Sequence, residues 1–319
     1  MPTPDDLAAL QTTLAAQTGD FETAWKDLCS LVDTWPTDAA LSNALDVVEA
    51  AIVHWPAFLR EAAWQWKADI LTQPNPRLRL ARELRLTYKD LHDSGATWLA
   101  DLPLLANLHE LHLGWTDIGL VGVTALANSP YLTQLTSLTL DDNALGPAGI
   151  VALATSRTLA GLTWLSLNNT GIGDAGAQAL AASPTLRQLG WLHLDGNDIT
   201  AVGVTALAQS VVLAGLRELT LEQNECGDIG VVALADSPHL TDLRVLQLIE
   251  NGLTDKGVVA LTKSPYMTRL EQLDLQANEL GKAGKAALRA AAFYYSTREQ
   301  IWRRKVRHTG STATGGIRS

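Results

Sequence analysis

Residues 162–180, which read LTWLSLNNTGIGDAGAQAL, contain two different periodicities. The first part alternates apolar and polar residues with a period of two, which is typical of a half-buried strand. The second part carries Gly176 and, four residues later, Leu180, a spacing that places both on one face of a helix. The stretch therefore predicts one strand followed by one helix.

The same pattern recurs every 27 residues without an insertion. A degenerate first copy begins at Ala81, and seven further copies carry Leu-x-x-Leu-x-Leu. Their triplets are Leu108/Leu111/Leu113, Leu135/Leu138/Leu140, Leu162/Leu165/Leu167, Leu189/Leu192/Leu194, Leu216/Leu219/Leu221, Leu243/Leu246/Leu248 and Leu270/Leu273/Leu275. Because one strand–helix unit cannot bury its apolar face alone, stacked units must share a core. The periodicity predicts a solenoid over residues 81–296.

Two further positions recur in each copy. A polar residue closes the strand, and its side chain can satisfy backbone groups of adjacent coils where it is Asn, which has both donors and an acceptor. These residues are Asn143, Asn197, Asn224, Asn251 and Asn278, with Thr116, Thr170 and Lys89 as substitutes. A Gly then recurs in the helix, as at Gly122 and Gly176. Gly costs about 0.5–1 kcal/mol relative to Ala there, so its repetition indicates a close approach of helix and strand layers.

This arrangement, Leu-x-x-Leu-x-Leu-x-x-Asn-x-Leu followed by Gly-x-x-Ala-Leu, resembles the ribonuclease-inhibitor type of leucine-rich repeat. The resemblance covers about two thirds of the chain. It implies a right-handed α/β solenoid of eight 27-residue repeats, shaped as a horseshoe with a concave parallel sheet and convex helices. It implies no single activity, because relatives include inhibitors, GTPase activators and innate-immune sensors.

Residues 1–80 lack the repeat and predict a helical N-terminal cap or docking domain, since the open end of a solenoid needs a cover. The predicted helices start at Thr3, span 21–32, run from Thr37 or Asp38 to His54, and span 57–71. Five tryptophans in this region are interpreted as cap core, with partner docking as the alternative: Trp25, Trp35, Trp55, Trp64 and Trp66.

The C-terminal end predicts a helix over 282–294 and then a basic cap and flexible tail over 297–319. The basic residues of this segment are Arg303, Arg304, Lys305, Arg307 and His308. Such a cluster can be a solvated cap, or it can dock on an acidic surface.

Composition narrows the class of protein. Hydrophobic residues make up 47% and the net charge is −10, which favours a globular chain and disfavours non-specific nucleic-acid binding. No apolar run is long enough for a membrane span, and acids stand where a signal peptide has basic residues, so we expect a cytoplasmic protein. Cys29 and Cys226 are predicted to be buried, without a disulfide framework.

Acidic residues concentrate at the outward positions of the predicted strands and strand exits. Of 40 such positions, five per copy, fourteen are acidic and one, Arg85, is basic, although the chain has 24 Lys and Arg. General surface charge does not explain this single sign. Trp164 and Trp191 hold the same outward position in adjacent copies, and Tyr88 and Trp115 share another. Exposed aromatics beside charges are typical of binding hot spots, unless the N-terminal cap or a loop covers them.

These patterns predict a non-catalytic scaffold that binds a basic protein or peptide on an acidic, Trp-bearing concave face. The predicted binding residues are Tyr88, Trp115, Asp141, Asp142, Trp164, Asn168, Trp191, His193, Asp195, Glu222, Glu225 and Glu250. The alternative is an assembly subunit that acts through its N-terminal helices or a solenoid edge. Catalysis has little support, since neighbours such as His193 and Asp195 arise automatically on stacked strands, and no spacing indicates a metal or cofactor site.

Overall fold

The computed structural model describes residues 21–35, 41–53, 55, 57, 60–67, 70–291, 293–296 and 301–304. Eight parallel strands lie side by side in chain order: β1 Glu83–Arg85, β2 Glu110–His112, β3 Ser137–Thr139, β4 Trp164–Ser166, β5 Trp191–His193, β6 Glu218–Thr220, β7 Val245–Gln247 and β8 Gln272–Asp274. They pair in register, so that Leu84 lies beside Leu111 and Leu111 beside Leu138. The same repeat position of neighbouring copies is therefore always adjacent.

Of the α-helices in the described residues, three precede β1, and the others alternate with β1–β8 along the chain. The helices are α1 Phe21–Asp33, α2 Leu41–Ala51, α3 Trp64–Lys67, α4 His92–Ala100, α5 Leu120–Ala127, α6 Gly146–Thr155, α7 Gly173–Ala181, α8 Ala201–Ala208, α9 Gly227–Ala235, α10 Asp255–Lys263 and α11 Lys282–Ala290. The repeated leucines and the apolar helix faces form one continuous buried core. The predicted α/β solenoid of stacked strand–helix units is confirmed.

The asparagine position links successive coils, as its amide chemistry predicts. Asn143 lies buried, and its Nδ2 donates to Leu113 O of the preceding coil at 2.7 Å. Its Oδ1 accepts from the backbone N–H groups of Thr116 and Ile118 at 3.2 and 2.9 Å. Thr170, at the same position one coil later, donates to Leu167 O within its own coil. Thr therefore replaces only part of what Asn does.

The recurrent glycine has a different reason from the one the sequence suggested. A Cβ on Gly122 would lie 2.7 Å from Asp93 Oδ1 and 2.8 Å from the Cβ of Ala96, both in the preceding helix α4. The close approach is thus between neighbouring helices rather than between helix and strand. Asp93 Oδ1 accepts hydrogen bonds from the N–H groups of Gly119 and Gly122 at 2.7 Å each, and so caps the start of α5.

A ladder of serine hydrogen bonds runs along the ends of the helices. Ser183 Oγ donates to Ala154 O of the preceding coil at 2.5 Å and accepts from Leu186 N at 3.1 Å. The same bond to the carbonyl 29 residues earlier is made by Ser129, Ser156, Ser210, Ser237 and Ser264. Each serine fastens one coil to the next on the helical side.

The predicted burial of the N-terminal tryptophans is confirmed for four of the five. The side chains of Trp25, Trp35, Trp55 and Trp66 are buried. Helix α1 confirms the prediction for 21–32, whereas the predicted helices starting at Thr3, Thr37 or Asp38 begin outside the described residues.

The helix predicted over 57–71 is wrong. In the described part of this stretch, residues 57, 60–67 and 70–71, α3 is the one α-helix, and the segment directly before it is extended: Glu61 bridges to Glu83, and Ala62 N donates to Glu83 O at 2.8 Å. Pairing with the free side of β1 outcompetes helix formation, because it satisfies backbone groups that an edge strand leaves open.

The C-terminal helix also ends earlier than predicted, at Ala290 rather than Tyr294. Residues Phe293–Ser296 and Ile301–Arg304 form an antiparallel hairpin, β9 and β10, and β10 pairs with β8. Arg303 and Arg304 thus belong to a strand, while Lys305, Arg307 and His308 lie outside the described residues. The hairpin covers the side of β8 that the repeats leave unpaired.

Both cysteines are buried and free, as predicted. Burial raises the pKa of each thiol to about 12. Among the residues that the structure describes, no helix is long and apolar enough to cross a membrane.

Candidate binding face

The first and third residues of each strand point away from the leucines, which face the helices. We call the surface that they form with the adjoining strand exits the strand face. In β5, Leu192 is fully buried while Trp191 and His193 on either side are partly exposed. This alternation follows from the pleat of a strand, and it places most of the predicted binding residues on one surface.

Trp164 and Trp191 are stacked on the strand face. Strands β4 and β5 pair these two residues directly, and their rings lie 6.1 Å apart between centroids at an interplanar angle of 22°. His193 adds an edge-on contact to Trp164 at 4.6 Å. The sequence predicted that the tryptophans lie side by side, and this is confirmed.

A cation of the chain itself lies over the stack, which sequence reasoning missed. The guanidinium of Arg217 is 5.9 Å from the ring centroid of Trp191. Arg217 directly precedes β6, so it was not counted among the outward positions. Its recurrence with Arg244, at the same place one copy later, is the signal that could have found it.

A second aromatic pair, Tyr88 and Trp115, lies at the strand exits of the first two copies. The rings are stacked with centroids 6.1 Å apart, and the two residues are 77% and 56% exposed. Neither the N-terminal region nor a loop covers them within the described part of the chain.

These two aromatics occupy an unusual backbone position. The eighth residue of every copy has a positive φ between 51° and 62°: Tyr88, Trp115, Asp142, Asn169, Gly196, Gln223, Glu250 and Ala277. This left-handed region suits Gly and Asn and costs about 1–2 kcal/mol for other residues. A bulky aromatic at such a position is a reason to suspect function rather than local preference.

Several predicted acidic residues support the backbone of the neighbouring coil. Asp141 Oδ1 accepts from Asn168 N at 2.8 Å, and Asn168 Oδ1 accepts from Asp195 N at 2.8 Å. Asp195 Oδ1 continues the series by accepting from Glu222 N at 2.7 Å. One oxygen of each of these side chains therefore accepts a hydrogen bond from the next coil. The sequence predicted only ligand binding for them.

The carboxyl groups of this ladder are held at raised pKa values. Burial raises the pKa of Asp141 and of Asp195; the carboxylate of Asp142 adds to the effect on Asp141, and that of Asp141 adds to the effect on Asp195. The pKa of Glu222 is raised by burial and then by the neighbouring carboxylates of Asp195, Asp274 and Glu250. The local electrostatics therefore disfavour further negative charge here.

The remaining predicted residues differ in their surroundings. Asp142 Oδ1 accepts from Asn169 Nδ2 at 3.0 Å, and Glu250 Oε2 accepts from Gln223 Nε2 at 3.0 Å. Glu225 is exposed and forms a backbone bridge with Thr200. Glu225 and Glu250 line neither of the grooves next to the aromatic pairs.

Each aromatic pair borders a groove. The groove beside the stacked tryptophans has a volume of 510 Å³ and is lined by Glu110, His112, Thr136, Ser137, Thr139, Thr163, Trp164 and Trp191. A second groove, of 540 Å³, is lined by Trp115, Asp142, Asn143, Ala144, Gly146, Asn169, Thr170 and Gly171. The first joins an aromatic wall to hydroxyl groups and a carboxylate. This combination suits a ligand with an apolar stem and a polar or cationic head.

Comparisons with known proteins address the family. A family model described as Leucine Rich repeat matches residues 105–127, 131–154, 162–181, 192–208 and 239–261. No curated protein matches the chain significantly.

Solved structures with a similar fold include human 5T4 (Wnt-activated inhibitory factor 1, trophoblast glycoprotein), at 22% identity and a TM-score of 0.45. That match covers 63% of this chain and 71% of 5T4. TLR13 in its complex with ssRNA13 is 17% identical with a TM-score of 0.41, over 73% of this chain and 30% of TLR13. The repeated leucines, the in-register stack of strand–helix units and the matching family model together show that this chain contains leucine-rich repeats within residues 105–261.

Proposed function

We propose that this protein is a non-catalytic interaction scaffold that binds a basic polypeptide on its strand face. The observation that carries the proposal is the stacked pair Trp164 and Trp191, held side by side at outward positions of adjacent strands. Large aromatics at the centre of a surface are the usual anchors of protein recognition. The leucine-rich-repeat fold supports the broader role, because such solenoids present extended binding surfaces.

The charge around the anchors favours a basic partner. Asp195, Glu222 and Glu250 lie close enough together to raise the pKa of Glu222. A Lys or Arg side chain of a partner would relieve this repulsion, and its cation could lie over an indole ring. The chain's own Arg217 already makes such a contact with Trp191, which indicates that this indole accepts a guanidinium.

The alternative is an assembly subunit that acts through its N-terminal helices or a solenoid edge, and the edges give it less support. The backbone of β1 is engaged by the segment around Glu61, and that of β8 is engaged by β10. At both edges of the parallel sheet, part of the backbone is therefore already hydrogen-bonded and is not free to pair with another chain. The side chains of the strand face are the more accessible surface.

Fluorescence anisotropy with two labelled peptide pools of equal length, one rich in Lys and Arg and one rich in Asp and Glu, tests the proposal. We expect the basic pool to bind, with an affinity that falls as salt rises. Trp191→Ala should weaken binding on the order of tenfold or more. Trp98→Phe is the matched control, because Trp98 is an exposed indole on helix α4. Equal binding of both pools, or unchanged binding by Trp191→Ala, would contradict the proposal.

A further inference from the structure

Three side chains capable of metal ligation meet where β1 lies beside β2. Glu83 and Glu110 are directly paired, and His112 lies two residues beyond Glu110 on the same side of the sheet. One ligating atom from each residue lies within 4.8 Å of the others. In the described part of the chain, this is the one cluster of three such residues. Since a full repeat separates Glu83 from Glu110, sequence spacing alone predicted no metal site.

The separations within the cluster fit a shared ion better than hydrogen bonds. His112 Nε2 lies 3.5 Å from Glu83 Oε1 and 3.7 Å from Glu110 Oε2. Hydrogen bonds between nitrogen and oxygen span about 2.7–3.2 Å. Two ligands that each lie about 2.1 Å from a tetrahedral Zn²⁺ are about 3.4 Å apart. The distances from His112 Nε2 to the two carboxylate oxygens therefore approximate the spacing between two ligands of a tetrahedral Zn²⁺ ion.

Two of the ligating atoms are buried without a hydrogen bond. Glu83 is only 5% exposed, yet its Oε1 accepts no hydrogen bond, and Nε2 of His112 is likewise buried without one. Arg85 Nη2 forms an ion pair with this same Oε1, which offsets part of its charge. A buried polar atom that lacks a hydrogen bond is destabilising, and coordination of an ion at this point would remove that cost for His112 Nε2.

The surroundings of the cluster also suit a cation. His112 Nδ1 lies 3.2 Å from Thr139 Oγ1, a contact that orients the ring and leaves Nε2 for an ion. Arg85 also lies 4.0 Å from Glu61. Glu61 is also paired with Lys67 Nζ at 2.9 Å, so the carboxylates of Glu61, Glu83 and Glu110 against Arg85 and Lys67 leave one negative charge in excess, which favours a cation.

We propose that Glu83, Glu110 and His112 bind one Zn²⁺ ion. One His and two carboxylates suit Zn²⁺ better than Mg²⁺, which prefers an octahedral set of oxygens. A fourth coordination position would open towards the groove that Glu110 and His112 line beside the tryptophan pair. The ion would share Glu110 with that groove, but its binding is tested without a polypeptide, so the two proposals can fail separately.

Isothermal titration of chelator-treated, tag-free protein with ZnCl₂ tests the site. We expect one ion per chain, no heat from MgCl₂, and at least a tenfold loss of Zn²⁺ affinity in His112→Gln and in Glu110→Gln. His193→Gln is the matched control, since His193 holds the equivalent place in β5 with a single carboxylate, Glu218, at 3.2 Å. Its affinity should be unchanged. Visible absorption of the Co²⁺ form should show a four-coordinate spectrum that His112→Gln abolishes.

Circular dichroism shows whether each variant is folded. If His112→Gln does not fold, the test rests on Glu110→Gln, because Glu110 is the most exposed of the three ligands and its replacement should disturb the fold least. A wild-type protein that binds no Zn²⁺ overturns the proposal. So does a folded Glu110→Gln variant with wild-type affinity, or a His193→Gln variant that loses as much affinity as His112→Gln.

Discussion

The indole rings of Trp164 and Trp191 lie 6.1 Å apart and 22° from parallel, although 27 residues separate them in the chain. Strand pairing produces this contact, because β4 and β5 place the two residues opposite each other. Both rings are partly exposed, so the contact lies at the surface of the sheet rather than within the leucine core. Removal of one of the two rings should therefore lower the affinity for a partner more than it lowers the free energy of unfolding.

Trp191→Ala should lower the free energy of unfolding by about 1 kcal/mol, the contribution of one aromatic pair. Urea unfolding monitored by circular dichroism measures this change. Binding of the basic peptide pool should fall much further than stability does. A loss of several kcal/mol in stability would mean that the stack belongs to the core, and would remove the argument for an anchor.

Asn197→Ala should destabilise the solenoid by about 2–4 kcal/mol. Nδ2 of Asn197 donates to Leu167 O at 2.8 Å, and Oδ1 accepts from the N–H of Thr170 at 3.0 Å. The residue is fully buried, so its removal takes the acceptor from the N–H groups of Thr170 and Ile172, while Leu167 O keeps the hydrogen bond from Thr170 Oγ1. Asn197→Thr is the matched variant, because Thr170 holds the same position naturally. Its loss of unfolding free energy in urea should be intermediate, and equal losses would contradict the ladder.

Gly203→Ala should cost about 1–3 kcal/mol through overpacking. The new Cβ would lie 2.6 Å from Asp174 Oδ1 and 2.7 Å from Ile199 Cγ2. Gly215→Ala serves as the control, since its Cβ would meet only Leu189 O at 3.5 Å. Thermal melts compare the two variants. A Gly203→Ala protein that melts with the wild type would show that the helices need no such close approach.

Asp141→Asn should raise the free energy of unfolding at neutral pH. Burial raises the pKa of the folded Asp141 carboxyl above its unfolded value, so the ionised form costs stability at any pH above the folded pKa. This cost disappears as the pH falls through that value, and the advantage of the variant should shrink with it. Asn168, at the same position one copy later, shows that an amide oxygen can accept the backbone N–H. Urea unfolding at several pH values measures the difference, and a gain that does not depend on pH would exclude this cause.

Trp115→Asn should leave the free energy of unfolding within about 0.5 kcal/mol of the wild type or raise it, because Asn tolerates a positive φ. Trp115 has a φ of 57°, and Asn169 has 54° at the same repeat position. The same variant should weaken binding of the basic peptide pool if the aromatic is retained for recognition. Unchanged binding would assign Trp115 no role in the interface.

Most of the fold could be predicted because the same strand–helix pattern occurs eight times in the sequence. Each copy shows where a strand and a helix lie, and Asn143 shows how one coil holds the next. The flanks were predicted less well, since they contain no repeat to compare. The residues around Glu61 have a local sequence that predicts a helix, but they pair with β1. The C-terminal helix ends earlier than predicted, and the chain continues into a hairpin beside β8. In both places a long-range strand partner outweighs local propensity.

The sequence by itself determined the solenoid, the in-register neighbours and therefore the contact between Trp164 and Trp191, because a constant period leaves no other register for the leucines. Only the tertiary structure decided which side chains are already engaged. It placed Arg217 over Trp191, joined Asp141 and Asp195 to backbone N–H groups, and brought Glu83 to His112. These relationships depend on distances across neighbouring coils and on burial. Neither quantity is encoded in the spacing of residues along one chain.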